Sequence, residues 1–280
     1  MNKLFGKGTK QRAINGGLDN YYTNPTYATH CTELVKKVFN KKTIKHIVEP
    51  SAGNGAFSSG IKNLVGLSKW SINMYDLEPQ VDFITKANFF DVSLQPNTLV
   101  IGNPPFGFSA NLAIKFFNHA ASFKAVLIAF ILPRTFKKDS VKNKLNKHYH
   151  LIYEEDCPKN CFLLEGSPYN VPCVFQIWKY LKKERYINMW QVDNKWLEFT
   201  DQKEAEFCIR RVGGKAGQIL EGDPLKYSTT STYFCKEKIP GVKDVIKNID
   251  FSEIVNSTVG VRSLSKRELH KKLYEYYQKD

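Results

Sequence analysis

The residues best suited to chemistry lie together in Val100-Ile101-Gly102-Asn103-Pro104-Pro105-Phe106-Gly107. Pro104 and Pro105 each fix a φ angle, and Pro105 turns the residue before it away from the α region. Neither proline carries an N–H, so the backbone here can only accept hydrogen bonds. Asn103 adds a side-chain carbonyl and Phe106 an aromatic face. The product is a rigid corner rich in acceptors. It suits a planar ring bearing an exocyclic amine, which donates to Asn103 Oδ1 and the Pro104 carbonyl while the ring stacks on Phe106. An amine of this kind is a poor nucleophile because its lone pair is delocalised into the ring. Two acceptors that take both of its protons favour a pyramidal nitrogen and free that lone pair for group transfer.

Such a corner must be presented by a strand. Thr98 to Ile101 is a short apolar run that reads as a buried parallel strand, and ligands of open α/β sheets bind at strand carboxyl ends. A second strand, Ile44 to Val48, runs into Glu49-Pro50-Ser51-Ala52-Gly53-Asn54-Gly55-Ala56-Phe57. A helix starting near Gly55 turns Phe57, Ile61 and Leu64 inward. Strand, glycine-rich turn and helix let a backbone approach a ligand closely. No Gly-Lys-Ser/Thr follows, so this is not a phosphate-binding P-loop, and the spacing is not Gly-x-Gly-x-x-Gly. Trp70 to Tyr75 reads as the next strand and ends in Asp76-Leu77-Glu78-Pro79. Asp76, some 20 residues past the glycine turn, is placed to accept both hydroxyl protons of a ribose, with Glu78 in reserve.

Asn103-Pro104-Pro105-Phe106 resembles the catalytic motif of S-adenosylmethionine-dependent amino methyltransferases, chiefly the adenine-N6 enzymes. Glu49 to Gly55 resembles motif I of the same enzymes, where an acid ends the first strand and small residues line the methionine moiety. The resemblance implies cofactor contacts for Glu49, Ser51, Ala52, Gly53 and Gly55. Tyr22-Thr23-Asn24-Pro25 resembles the Tyr-Thr-Pro element that precedes motif I, one residue longer than usual, and implies contacts for Tyr22 and Thr23. A helical pattern follows Pro25 (Cys31, Leu34, Val35, Val38), with Thr29 to Thr32 as candidate caps. Phe83 to Ala87 reads as the third strand in chain order and runs into Asn88-Phe89-Phe90-Asp91, in which Asn88 and Phe89 stand where the family has an Asp-Phe pair on the cofactor adenine. An amide accepts that bond without charge assistance, and Asp91 is the alternative partner. The resemblance covers about residues 19–180. It implies a seven-stranded, mostly parallel, Rossmann-like α/β sheet, S-adenosylmethionine as cofactor, and Asn103, Pro104, Pro105 and Phe106 as catalytic residues.

The remaining chain bounds the partner. Of 280 residues, 41 are Lys or Arg and 27 Asp or Glu, for a net charge of +14. Residues 1–185 hold 25 of the bases and 13 of the acids, so the excess lies on the half carrying the motifs. A polyanion is the economical partner. Arg134, Lys137, Lys138 and Lys142 follow the apolar run Ala125 to Leu132 and are expected to flank a bound strand. Arg210 and Arg211, in Arg210-Arg211-Val212-Gly213-Gly214-Lys215-Ala216-Gly217, suit a phosphate or base edge; a plain hairpin turn is the other reading.

Tyr149 to Glu154 and Val174 to Trp178 read as a closing hairpin, with 166–172 as a lip over the pocket. The expected organisation is a basic arm (1–18), a catalytic domain (19–185) and a small α+β appendage (186–280). Lys182 to Arg185 is the charged break between the last two. Six scattered cysteines without a C-x-x-C pair, and no secretory pattern, point to a reducing intracellular compartment such as the cytoplasm. No metal site and no membrane span are expected. Oligomeric state is open. DNA is favoured as substrate, with RNA adenine or guanine, a protein glutamine, or a binding module without catalysis as the alternatives.

Overall fold

The computed structural model describes residues 22–40, 42–65, 70–164, 166–187, 195–257 and 261–278. The expected arm at 1–18 lies outside them. The chain divides between residues 187 and 188 into two compact units.

The first unit opens with a two-residue strand, β1 (Tyr22–Thr23), and helix α1 (Pro25–Val38). Asn24 caps the helix, its Oδ1 accepting from Thr26 N at 3.0 Å, and Pro25 fills the first turn. The reading that placed caps at Thr29 to Thr32 is corrected. Those hydroxyls bond back to carbonyls of the helix itself, Thr29 to Pro25 and Thr32 to Thr29. Asn followed by Pro is the stronger start, since Pro lacks only an N–H that would be unpaired there.

Next come β2 (His46–Glu49), helix α2 (Ser58–Val65), β3 (Ser71–Asp76), β4 (Thr85–Lys86) and β5 (Thr98–Gly102). They are followed by helix α3 (Asn111–Ser122), β6 (Leu127–Pro133), β7 (Tyr149–Asp156), β8 (Phe162–Leu164), β9 (Ser167–Tyr169) and β10 (Cys173–Tyr180). The main sheet has seven strands in the order β4-β3-β2-β5-β6-β10-β7. The first five pair in parallel; β10 runs antiparallel to both β6 and β7. β5 and β6, at the middle of the sheet, are buried along their whole length. β4 is shorter than the expected Phe83 to Ala87. It is an edge strand, and Phe83 is 60% exposed.

The chain leaves β2 toward β3 and β4 on one side, then returns to place β5 on the other. The carboxyl ends of β2 and β5 therefore flank the point where strand order reverses, which is where such sheets open a crevice. The glycine turn follows β2 and the proline corner follows β5. The proposed lip is a hairpin of β8 and β9, and β8 pairs with β1, Thr23 opposite Phe162.

Arg185 is more than a linker charge. Its guanidinium donates to the carbonyls of Lys142, Leu145, Asn146 and Tyr149 and lies over Trp178, stitching the end of the sheet to the turn before β7.

The second unit is α+β. Strands β11 (Leu197–Phe199), β12 (Phe207–Arg210), β13 (Ile219–Leu220) and β14 (Thr232–Glu237) form an antiparallel sheet in the order β11-β14-β12-β13. Helices at Val242–Asn248, Ser252–Asn256 and Lys266–Tyr277 complete it, around a core that includes Trp196, Phe207, Val242, Phe251 and Leu269. Ser265 and Glu268 form both bonds of a capping box on the last helix.

Candidate active site

At the switch point a cavity of about 330 Å³ opens. That is the lower end of the range for small-molecule sites. From β1 it takes Tyr22 and Thr23, and from the end of β2 Glu49, Ser51, Ala52 and Gly53. The end of β3 gives Asp76, Leu77 and Glu78, and the end of β5 gives Asn103, Pro104, Pro105 and Phe106. The glycine turn and the proline corner thus face one cavity, and a hydrogen bond joins them: Ser51 Oγ donates to the Asn103 carbonyl at 2.9 Å.

The glycine turn is shaped by its own residues and by Asp76. Gly53 has φ +52°, a region that side chains disfavour, and a Cβ there would come within 3.1 Å of the Tyr22 ring. Its N–H donates to Asp76 Oδ2 at 2.7 Å, while Asp76 Oδ1 accepts from Glu78 N at 2.8 Å. Asp76 therefore fixes the turn and the segment after β3 at once. Each of its oxygens keeps a lone pair for a further donor. Gly55, with φ +79°, does not line the cavity; a Cβ there would meet the Phe83 ring at 2.8 Å.

Two buried polar atoms in the cavity have no hydrogen-bond partner among the described residues: Asn103 Oδ1 and Glu49 Oε2. Glu49 is 1% exposed, and burial, then the charge of Asp76, push its carboxyl well above the usual glutamate range. Burial raises Tyr22 as well, reinforced by Asp76 and Glu78. The lining carries three acids and, among the described residues, no base.

Phe106 is 5% exposed and stands edge-on to Phe162, ring centres 6.4 Å apart at 81°. Phe162 lines the cavity too and is absent from the sequence reading. No local signal reveals it, because it reaches the site by pairing with Thr23 across 139 positions. Leu77 was also passed over. An apolar residue directly after a strand-end acid, here 50% exposed, is the signal that could have found it.

Asn88 and Phe89 lie outside the lining. Asn88 Oδ1 accepts from Phe90 N at 3.2 Å, capping a single turn at Phe89–Asp91. Phe89 is buried against Phe116 and His119.

The bases after β6 are tied to acids on β7. Arg134 and Lys137 share Asp156 at 3.2 and 3.0 Å, and Lys142 meets Glu154 at 3.3 Å. Lys138 occupies the same turn. In the second unit Arg210 donates to Ser231 Oγ, and Arg211 lies over the Tyr233 ring. Both arginines flank the antiparallel β12–β13 pair, so the hairpin is real. Among the described residues no group of three His, Cys, Asp or Glu side chains is arranged to hold a metal ion, and no helix is long and apolar enough to cross a membrane.

Among solved structures, the chain is similar to a candidate RNA methyltransferase from Pyrococcus horikoshii at 14% identity and a TM-score of 0.44, covering 59% of this chain and 89% of that one. It is similar to the methyltransferase subunit of a type I restriction-modification system from Streptococcus thermophilus at 13% identity and a TM-score of 0.45. That match covers 58% of this chain and 45% of the subunit, so the chain spans under half of its length. A third likeness is to an S-adenosylmethionine-dependent methyltransferase of Leishmania major, at 15% identity and a TM-score of 0.36, over 60% of this chain and 76% of that one. Likenesses this distant carry no argument about substrate. No curated protein matches the sequence. The family model of the EDM2 methyltransferase-like domain matches residues 40–197, which take in β2 to β10 and every cavity residue except Tyr22 and Thr23. That is more than half of the 280 residues, and the chain belongs to the EDM2 methyltransferase-like domain family, built on a seven-stranded, mostly parallel Rossmann-like sheet.

Proposed function

We propose that the protein transfers a methyl group from S-adenosylmethionine to the exocyclic N6 amine of adenine in nucleic acid, with DNA favoured over RNA. One observation carries the reading. Asn103 Oδ1 is a buried acceptor without a donor among the described residues, in the cavity that also holds the glycine turn. A buried acceptor left unpaired is costly, and a ring amine supplies the missing donor.

The lining fits the cofactor. It is acidic, as a net cation requires, and Glu49 and Asp76 both offer unused acceptor capacity. Tyr22, Ser51, Ala52 and Gly53 would hold the methionine end, and Asp76 the ribose. When bound, the cofactor supplies an electrophilic methyl on a sulfonium. The chain's own part is positioning and electrostatics. Asn103 Oδ1 and the Pro104 carbonyl accept the two amine protons and direct the lone pair. The Ser51 bond fixes the Asn103 backbone relative to the turn that holds the cofactor. Phe106, braced by Phe162, supplies an aromatic wall for the base. Reaching an adenine requires a single strand or an extruded nucleotide. The basic excess of the first 185 residues supports a polyanionic substrate over a protein glutamine.

The test is direct. The protein is incubated with methyl-labelled cofactor and equal pools of DNA, RNA and protein, and the modified product is identified. N6-methyladenine in DNA is the expected result. Label in RNA alone would reassign the polymer, and label in protein would overturn the reading.

A further inference from the structure

Amine activation leaves Glu49 unused. The side chain is fixed at the end of β2, where its Cγ lies 3.2 Å from the position a Cβ would take on Gly102. It is 1% exposed, and Oε2 has no partner among the described residues. The groups sharing the cavity with it are Asp76 at the end of β3, Glu78 just past it, Tyr22 on β1 and Asn103 beyond β5. Those are two acids, a phenol and an amide. An ionised carboxylate so placed loses its hydration and gains no counter-charge, so the neutral form is favoured. The raised pKa, due to burial and then to Asp76, points the same way.

We propose that Glu49 is protonated before the cofactor enters, releases that proton when S-adenosylmethionine binds, and regains one opposite the thioether product. The inference rests on the reading of the cavity as the cofactor site. S-adenosylmethionine carries a sulfonium, an ammonium and a carboxylate, a net charge of about +1 that the product lacks, and a counter-ion for it must be ionised. Glu49 is then the residue that distinguishes cofactor from product.

The step balances. On binding, Glu49 loses a proton to solvent. During transfer an N–C bond forms, an S–C bond breaks and the amine sheds one proton, while Glu49 takes one up. The contents of the pocket begin and end the transfer with the same net charge.

Titration calorimetry tests this, with S-adenosylmethionine and the thioether product each run in buffers of different ionisation enthalpy from about pH 5.5 to 8.5. The expected result is release of up to about one proton with S-adenosylmethionine and none with the product. Cofactor affinity should rise up to about tenfold per pH unit below the pKa of Glu49. Glu49→Gln should abolish the release and shrink the preference for cofactor over product by about tenfold or more. Asp76→Asn, which removes the like charge, should move the release to lower pH. Cofactor binding without proton release, equal release with both ligands, or unchanged release in Glu49→Gln would overturn the proposal. The wild-type arm decides even should the variant fail to fold. Absence of heat with either ligand would instead remove the cofactor reading itself, and this inference with it.

Discussion

The cavity and the surface after β6 carry opposite charge. The cavity is lined by Glu49, Asp76 and Glu78 and, among the described residues, by no base, inside a chain whose net charge is +14. Arg134, Lys137 and Lys142 stand on the surface segment, already engaged by Asp156 and Glu154. The difference separates two recognition problems. A small cation is held where water is excluded and each charge counts for more. A polyanion is met in high dielectric, where a base can exchange one acid for a phosphate at little cost because exposed pairs contribute only about 0–1 kcal/mol.

Substitutions can break or sharpen that contrast. The largest effect belongs to Asn103→Ala, expected to lower the methyl-transfer rate by about 10³-fold or more while leaving cofactor affinity within about threefold. Labelled-methyl assays and calorimetry check the two halves, and equal loss of both would deny Asn103 a role in transfer. Asp76→Ala comes next. It removes the bonds to Gly53 N and Glu78 N together with the expected ribose contact, and should weaken cofactor binding by about 10–100-fold. Polymer affinity, measured without cofactor, should not follow it.

The surface is tested by replacing Lys137 and Lys142 with alanine. Polymer affinity should fall by roughly tenfold and the slope of log affinity against log salt by about 2. Cofactor affinity should stay put. Asp156→Ala sharpens the point in the other direction, since it frees Arg134 and Lys137 and should tighten polymer binding a few-fold.

The smallest effect is on stability. An acid whose pKa is raised by folding stabilises the native state fully below its ordinary value, and that contribution is lost as pH rises through the raised one. Glu49→Gln removes the loss. Without cofactor the variant should melt above the parent near pH 8 and level with it near pH 4, as scanning calorimetry would show.

What could be read ahead of the structure was whatever a few neighbouring residues decide. Strand, glycine turn and helix at Glu49 to Val65, and strand then proline corner at Thr98 to Phe106, follow from apolar runs cut by residues with fixed backbone preferences. The seven-stranded, mostly parallel sheet was implied by the family resemblance, and its antiparallel end by the hairpin read at Tyr149 to Glu154 and Val174 to Trp178. The cap of α1 was equally local but was misplaced, because two threonines inside the helix resemble a start signal. Other features were out of reach for a different reason. An Asn before an aromatic pair can hold a ligand or cap its own turn, and the choice depends on which way the helix after β5 packs. Phe162 reaches the cavity only through the β1–β8 ladder, and no spacing rule spans that distance. The pairing of Arg134 and Lys137 with Asp156 depends on the register of β7 and is invisible in a count of charges.

The position of β10 bears on how the chain comes off the ribosome. β10 is the last strand of its sheet to be made, yet it lies between β6 and β7. Until residues 173–180 emerge, the seven buried residues of β6 have a partner on one flank only, and β7 has none in that sheet. The nascent domain thus carries an open, apolar strand edge for some 40 residues of synthesis, a template for association with other chains. A product cut short before Cys173 would keep both chemical motifs and still lack the strand that closes the sheet over them, and would be a substrate for chaperones before it was one for anything else.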